Sequence, residues 1–209
     1  EKGHKGISKA DFTEAYLQIT TGRASTRKIN EHEKLIVTSH ECGHATNLQV
    51  MNNVAKTRGE KWHVPTKVNF ITLDPRGMFG GAVFSGYDAN KQVSFETMFS
   101  DIVYSFGGNS AEQTFYNMNG SYGISCDMQS VREDAEEMVK VMGLGAKTGK
   151  MSIEAGEDLS DKTKEMIEDD ERVIIHNGKI VSDLITEIYA DFNKEFTEAV
   201  SSEYFGERN

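Results

Sequence analysis

The 209-residue chain has little of what membrane, nucleic-acid-binding and disulfide-rich proteins require. No apolar run approaches the ~18 residues of a membrane-spanning helix. The net charge of −10 leaves no excess of basic residues for a nucleic-acid-binding surface. The two cysteines form no Cys-x-x-Cys pattern and make a poor disulfide framework for this length. We therefore expect a globular protein of a reducing compartment that binds no nucleic acid.

Two further signals are absent. A Walker-type Gly-x-x-x-x-Gly-Lys-Ser/Thr loop does not occur, so any use of ATP must come from another module. The polar first residues do not match a signal peptide, and because the chain opens with Glu1 we expect a piece of a longer protein. The 37% hydrophobic and 27% charged residues describe an ordinary globular composition with enough apolar residues for a core.

One short motif carries candidate chemistry: His40, Glu41 and His44 form the pattern His-Glu-x-x-His. Residues four apart on an α-helix share a face, so both imidazoles can bind one metal ion while Glu41 reaches a water beside it. Residues 33–50 contain no proline and supply apolar residues for a helix. Gly43 costs on the order of 1 kcal/mol against alanine there, which indicates a packing or functional reason. The motif predicts a zinc peptidase with Glu41 as general base.

Catalytic zinc usually has three protein ligands and a water, so one more ligand is needed. A metzincin is excluded because Asn47 and Val50 stand where that family requires glycine and histidine. Glu112 on a later predicted helix and Asp127 in the first turn of the next are both candidates. Cys126 is a weaker one. The residue types alone do not decide between Glu112 and Asp127.

Hydrophobic periodicity predicts several helices and a short strand. A strand is expected over 66–73, followed by a turn over 74–77 and a short apolar piece over 82–84. Helices are expected over residues 8–20 (opened by a capping box at Ser8 and Asp11), 31–56, 94–106, 109–115, 125–143 (capped by Ser125) and 185–196.

Some segments are harder to assign. Gly107 and Gly108 are expected to interrupt a helix, and residues 143–157 are expected to form a mobile, glycine-rich loop. Residues 172–181 are ambiguous: Asn177 and Gly178 between apolar residues are a hairpin signal, although the flanking sequence favours helix. Cys42 is expected to face away from the metal as a small buried side chain.

Six stretches of the chain match, in order, the motifs of one family. They cover residues 7–15, 33–45, 75–81, 107–112, 125–129 and 159–167. The pattern resembles the peptidase domain of the FtsH family, the membrane-anchored AAA+ zinc proteases, over about residues 7–175. Two residues depart from it: Cys42 stands where the family usually has alanine, and Asn109 replaces an arginine, which affects local packing or subunit contacts rather than the metal. The chain also stops soon after Phe205, so the last helical elements are expected to be short.

The resemblance implies a mainly α fold, a helical zinc-peptidase domain with a small β-strand element beside the active site. It also implies a role for individual residues of the site. His40, His44 and Asp127 would be the zinc ligands, Glu41 the catalytic base, and Glu112 a group that hydrogen-bonds a ligand histidine. Residues 1–24 would form a helical segment following an AAA+ module that is absent from this chain. Residues 25–209 would form the peptidase domain.

The resemblance also implies partners. The substrates would be unfolded or misassembled polypeptides. The parent assembly would be a homo-hexamer with its sites facing a chamber. ATP would be used only by the AAA+ module. Membrane contact would come only through absent N-terminal segments. The location would be the cytoplasm, the cytoplasmic face of the inner membrane in a full-length parent, or an organelle.

The predicted strand suggests how a substrate binds. An extended peptide can add to a free strand edge, so the residues expected to bind substrate are Phe70, Ile71, Thr72, Gly80 and Gly81. The alternative is a purely structural hairpin.

Two rival functions remain: a catalytically silent pseudo-peptidase acting as an assembly or chaperone module, and a structural zinc domain. The intact motif argues against the first. Structural sites commonly use several cysteines, which argues against the second.

Overall fold

The computed structural model describes residues 6–27, 29–59, 67–77, 80–86 and 93–206, and these are mainly helical. The strands are β1 (Lys67–Thr72) and β2 (Ala82–Gly86). A π-helical turn, Glu137–Val141, continues α5. The helices are α1 (Lys9–Thr20), α2 (Glu31–Thr57), α3 (Phe95–Ser105), α4 (Gly107–Tyr116), α5 (Ile124–Glu136), α6 (Asp161–Ile188) and α7 (Ala190–Gly206). The predicted mainly α fold with a small β element is confirmed. Within these ranges no helix is long and apolar enough to cross a membrane.

Helix α2, which carries His-Glu-x-x-His, lies at the centre of the fold. The side chain of Asn30 accepts the Glu33 N–H at 2.9 Å and begins the helix. Its neighbours are α3, α4, α6, α7 and the two strands. Every residue from Thr38 to Leu48 is buried, including Cys42, whose predicted burial is confirmed. The motif therefore lies on an internal turn and not on a solvated helix face.

Helices α2 and α4 approach each other so closely that only glycine fits between them. A methyl group at Gly43 would overlap the Gly107 carbonyl oxygen and lie 2.8 Å from the Ala111 Cβ. A methyl group at Gly107 would lie 2.6 Å from the Gly43 carbonyl oxygen. The packing reason expected for Gly43 is thus confirmed, and it brings Glu112 of α4 towards the motif.

A second contact surface holds α5 in place. Buried apolar side chains of α3 and the turn after it, α5, the π-helical turn, the 143–157 loop and α6 form one cluster: Met98, Ile102, Phe106, Val131, Ala135, Met138, Val139, Ile153, Ile167 and Ile174. Asp127 lies in the first turn of α5. The cluster therefore fixes the position of this residue relative to α2.

The two strands form an antiparallel hairpin in which Ile71 lies opposite Val83. The rings of Phe70 and Phe84 stack at 4.6 Å between centroids, and Tyr16 of α1 packs edge-on against Phe84 at 5.4 Å. The predicted strand is confirmed for residues 67–72, while Thr66 lies outside the described residues. Helix α1 thus covers part of the hairpin.

Three predicted helix boundaries are wrong. Gly107 and Gly108 open α4 after a turn at Phe106 and do not interrupt a helix. Ser125 is not the N-cap of α5, because that helix begins at Ile124 and has no side-chain cap. The apolar stripe over 185–196 is divided at Tyr189, where α6 ends and α7 begins.

Residues 172–181, which were ambiguous between helix and hairpin, all lie inside α6, so the helix favoured by the flanking sequence is confirmed. A methyl group at Gly178 would overlap Cγ2 of Ile102, so this glycine gives α3 room to pack against α6. The local turn signal was overridden by a tertiary contact.

The predicted loop over 143–157 has no helix or long strand but is firmly anchored. The Asp170 carboxylate accepts the N–H groups of Ala146, Lys147 and Thr148 at 3.1, 3.0 and 2.8 Å. The Ile153 side chain is part of the buried cluster. The expectation of a mobile loop is therefore not supported, since a buried carboxylate and a core residue both hold it.

Candidate metal centre

The metal centre joins two helices. The four-residue spacing on α2 brings the Nε2 atoms of His40 and His44 to 3.0 Å from each other. Helix α5 contributes Asp127, whose Oδ2 lies 3.2 Å from the His40 Nε2 and 3.5 Å from the His44 Nε2. The candidate ligand atoms of these three residues all lie within 4.8 Å of one another. The fold thus assembles two imidazoles and a carboxylate at one point.

The outer nitrogens of both imidazoles are engaged by acceptors. The His40 Nδ1 donates to Oε1 of Glu112 at 2.9 Å, and the His44 Nδ1 donates to the Tyr104 backbone carbonyl at 2.8 Å. A carboxylate and a carbonyl accept hydrogen bonds, so each Nδ1 carries a proton and each Nε2 of a neutral ring carries a lone pair. Both rings are oriented with those lone pairs towards Asp127.

This donor set fits a metal cation. The Asp127 Oδ2 is buried and lies 3.2 and 3.5 Å from the two Nε2 atoms. When both rings are neutral, as metal binding requires, three acceptor atoms face one another, and a cation between them relieves their repulsion. Two imidazole nitrogens and one carboxylate oxygen are a ligand set typical of catalytic zinc. The residues therefore match the Zn²⁺ that the motif predicts.

The charges around the site attract a cation as well. Burial alone would lower the pKa of His40, but hydrogen bonds with Asp127 and Glu112 raise it to about 10 in the absence of metal. Burial alone would raise the pKa of Asp127, yet His44 and His40 hold it well below its usual value. Asp127 is therefore ionised at neutral pH, as a metal ligand must be.

Glu41 lies on the same turn of α2 but points towards the hairpin. A methyl group at Gly81 would come within 2.9 Å of the Glu41 Oε1 and 2.8 Å of the Thr72 carbonyl oxygen. Burial raises the pKa of Glu41, and the nearby His40 and His44 partly oppose this. A buried carboxylate with a raised pKa is suited to accepting and returning a proton.

The residues predicted to bind substrate lie at different distances from this carboxylate. Gly81 lies against both the Glu41 carboxylate and the Thr72 carbonyl oxygen, and Ile71 precedes Thr72 in β1. Gly80 packs against the Val37 side chain of α2. Phe70 lies in the aromatic stack with Phe84. The alternative ligand Cys126 is not a member of the metal-binding cluster.

Three contributors were missed by the sequence reasoning. The N–H and the hydroxyl of Ser121 both donate to the Glu112 carboxylate, at 2.8 and 2.7 Å. A methyl group at Gly108 would lie 2.5 Å from the His40 Nδ1, so this glycine makes room for the imidazole. Tyr104 acts through its backbone carbonyl. No motif marks Ser121 or Tyr104, while the Gly107-Gly108 pair was visible but was interpreted only as a helix break.

Comparison with known proteins finds one matching family model and several similar zinc proteases. The family model for Peptidase family M41 matches residues 27–204. The chain is 27% identical over 187 residues to the ATP-dependent zinc metalloprotease FtsH of Cutibacterium acnes, covering 82% of this chain and 24% of that protein. It is 27% identical over 207 residues to the ATP-dependent zinc metalloprotease FtsH of Ruminiclostridium cellulolyticum, covering 91% of this chain and 31% of that protein. It is 29% identical over 182 residues to the ATP-dependent zinc metalloprotease FtsH of Oenococcus oeni, covering 80% of this chain and 24% of that protein. The chain thus spans about a quarter to a third of the length of these relatives.

Proposed function

Because the chain belongs to peptidase family M41, a family of zinc-dependent peptidases, we propose that it hydrolyses internal peptide bonds of extended polypeptides at the site formed by His40, His44 and Asp127. The observation that carries this proposal is the convergence of two imidazole nitrogens and a carboxylate oxygen beside a buried glutamate. A ligand cluster alone suits many functions, whereas the adjacent Glu41 supplies the base that hydrolysis requires.

Each residue has a distinct task in this mechanism. His40, His44 and Asp127 would hold Zn²⁺, which supplies a Lewis acid for water and for the scissile carbonyl. Glu41 takes a proton from the attacking water and delivers it to the leaving amine. Glu112 holds the His40 ring through its Nδ1 and is itself held by Ser121.

The assignment of Asp127 rather than Glu112 as third ligand can be tested by metal content. We expect about one zinc per wild-type chain, loss of zinc in Asp127→Asn, and zinc largely retained in Glu112→Gln, since the amide oxygen still accepts from His40. Cleavage of an unstructured peptide is measured on the same samples. Zinc lost from Glu112→Gln and kept by Asp127→Asn would reverse the two roles.

Glu41→Gln separates the base from the ligands. The amide keeps the shape of the side chain but cannot take a proton, so cleavage should fall by about a hundredfold or more while zinc content stays at the wild-type level. Undiminished cleavage would contradict the role of Glu41.

The substrate is proposed to bind as an extended strand along β1, with Phe70, Ile71, Thr72, Gly80 and Gly81 nearby. The position of Gly81 against both Glu41 and the Thr72 carbonyl oxygen supports this, because a peptide at that end of the hairpin would adjoin the base. Ile71→Pro or Thr72→Pro should impair cleavage while zinc stays bound, because proline removes a strand N–H. Ile71→Val is the matched control. Unchanged cleavage by both proline variants would refute strand addition.

We further propose that the chain is the proteolytic part of a longer ATP-dependent protease that acts on unfolded or misassembled proteins. The relatives carry that activity in their names and are three to four times longer, by their coverages. An AAA+ module preceding the helical segment of residues 1–24 would use the ATP. The assembly would be a homo-hexamer, and N-terminal segments would anchor it at the cytoplasmic face of a membrane. The family match beginning at residue 27 supports the proposed boundary between residues 24 and 25. Sedimentation of the longer protein would test the hexamer.

Digestion of casein with and without a chelator separates the peptidase from its rivals. Cleavage that stops with the chelator supports a zinc peptidase. A pseudo-peptidase would suppress aggregation of an unfolded protein without cutting it. A structural zinc domain would unfold with the chelator and cleave under neither condition.

A further inference from the structure

Tyr104 lies in α3 between the metal centre and the hairpin, and it contacts both through three different groups. Its backbone carbonyl accepts the Nδ1–H of His44 at 2.8 Å. Its ring lies 5.1 Å from the same imidazole, centroid to centroid, at an angle of 45°. Its hydroxyl donates to the Val83 carbonyl of β2 at 3.2 Å. One residue therefore joins a candidate metal ligand to the strand element.

The hydroxyl reaches the hairpin close to the proposed base. Val83 is two residues after Gly81, which lies against Glu41, and it is paired with Ile71 of β1. The strands pair with each other along the hairpin without Tyr104. The hydroxyl is thus not needed to form the hairpin, and what it adds is a fixed distance between the hairpin and the metal-site helix.

The hairpin has another contact with the same surroundings, but that contact is less directional. Val68 of β1 and the Tyr104 ring both pack against the buried side chains of Leu48 and Ala55 on α2. Apolar packing tolerates small sliding movements, whereas a hydrogen bond favours one distance and direction. The Tyr104 hydroxyl therefore restricts movements of β2 that the apolar contact permits.

We propose that Tyr104 is a positioning residue for peptide hydrolysis: its hydroxyl fixes the β1–β2 hairpin relative to His44 and Glu41, and so aligns a peptide bound on the hairpin with the metal centre. This inference rests on the proposed peptidase function and strand binding. It goes beyond them by assigning a specific link between the peptide-binding element and the metal centre.

Tyr104→Phe isolates the hydroxyl, because phenylalanine keeps the backbone carbonyl on His44 and a ring beside the imidazole. In the zinc-loaded chain we expect kcat for an unstructured, internally quenched peptide to fall about three- to tenfold, as for one lost hydrogen bond. KM should stay within about twofold, because the strand edge itself is unchanged. Zinc content should equal that of wild type. Tyr122→Phe, which alters an exposed tyrosine, is the matched control.

A second measurement does not depend on activity. Amide hydrogen exchange in the zinc-loaded chain should become faster over residues 82–86 in Tyr104→Phe and stay unchanged over residues 40–48. A merely structural role would instead raise exchange in both segments and lower zinc content.

The outcomes separate this inference from the proposed function. If wild type binds zinc but cleaves nothing, the peptidase proposal fails, and the exchange comparison still decides whether Tyr104 holds the hairpin. If wild type is active and Tyr104→Phe has the kcat and hairpin exchange of wild type, the positioning role is refuted. A loss of kcat that follows a loss of zinc would also overturn it, because the residue would then act through His44 alone.

Discussion

Replacing Gly43 by alanine tests whether the close approach of α2 and α4 supports the metal centre. The new methyl group would overlap the Gly107 carbonyl oxygen and lie 2.8 Å from the Ala111 Cβ and 2.9 Å from the Gly107 carbonyl carbon. None of these atoms belongs to a side chain that can rotate away. The two helices must therefore separate, and the hydrogen bond between His40 and Glu112 spans the same gap.

The expected magnitude follows from three terms. Alanine is favoured over glycine by about 1 kcal/mol within a helix. Overpacking typically costs about 1–3 kcal/mol, and the upper end applies when backbone must move. Weakening the contact between the His40 ring and the Glu112 carboxylate costs about 1 kcal/mol more. We expect Gly43→Ala to lower the free energy of unfolding by about 3 kcal/mol and to weaken zinc binding about tenfold, since the ring orientation is lost.

Urea unfolding of the metal-free chain measures the free energy of unfolding, and competition with a chromophoric chelator measures zinc affinity. Gly206→Ala in α7 is the matched control, because a methyl group there would meet only the Ser202 hydroxyl oxygen, at an ordinary contact distance of 3.8 Å. Its effect on the free energy of unfolding should stay within about 1 kcal/mol. The reasoning is refuted if Gly43→Ala is no more destabilising than Gly206→Ala, or if its zinc affinity equals that of wild type.

Three further substitutions test other contacts. Burial would raise the pKa of Asp170, but the N–H groups of the 146–148 loop hold it below the usual 3.8. The stability that this carboxylate contributes is therefore complete above pH 3.8, and it is lost as the pH falls through the lower pKa of the folded chain. Asp170→Asn should therefore lower the free energy of unfolding, measured in urea, by about 2 kcal/mol at neutral pH and by progressively less in acid. An equal loss at neutral and acidic pH would contradict this. Glu14→Gln weakens the ion pair of 2.6 Å between the Glu14 carboxylate and the buried Arg76 guanidinium. It should lower the free energy of unfolding, measured by thermal unfolding, by only about 1 kcal/mol, because Glu14 is half exposed. An unchanged stability would contradict a contribution from this ion pair. Ser121→Ala removes the hydroxyl that donates a hydrogen bond to Glu112. It should weaken zinc binding about three- to tenfold in the chelator competition, and an affinity equal to that of wild type would contradict this role.

The parts of the site that are local in the chain were predictable. His40, Glu41 and His44 occupy one helical turn, so their spacing alone places them together. The choice between Asp127 and Glu112 was open from residue types, because it depends on how α4 and α5 pack against α2. The same reason explains the false hairpin signal at Gly178: a turn signal is local, whereas the Ile102 contact that the glycine serves comes from another helix.

This division between local and tertiary determinants has a consequence for metal binding. His40 and His44 come from α2, while Asp127 comes from α5, which is held by the apolar cluster with α3 and α6. A metal ion that binds all three therefore binds the folded chain far better than the unfolded one, and it adds to stability in proportion to that difference. Without the ion, the pKa of His40 is about 10, so its ring holds a proton beside Asp127 that a metal ion must displace. The packing of α5 keeps Asp127 in place for either partner, and weakening that packing should lower zinc affinity without altering a ligand.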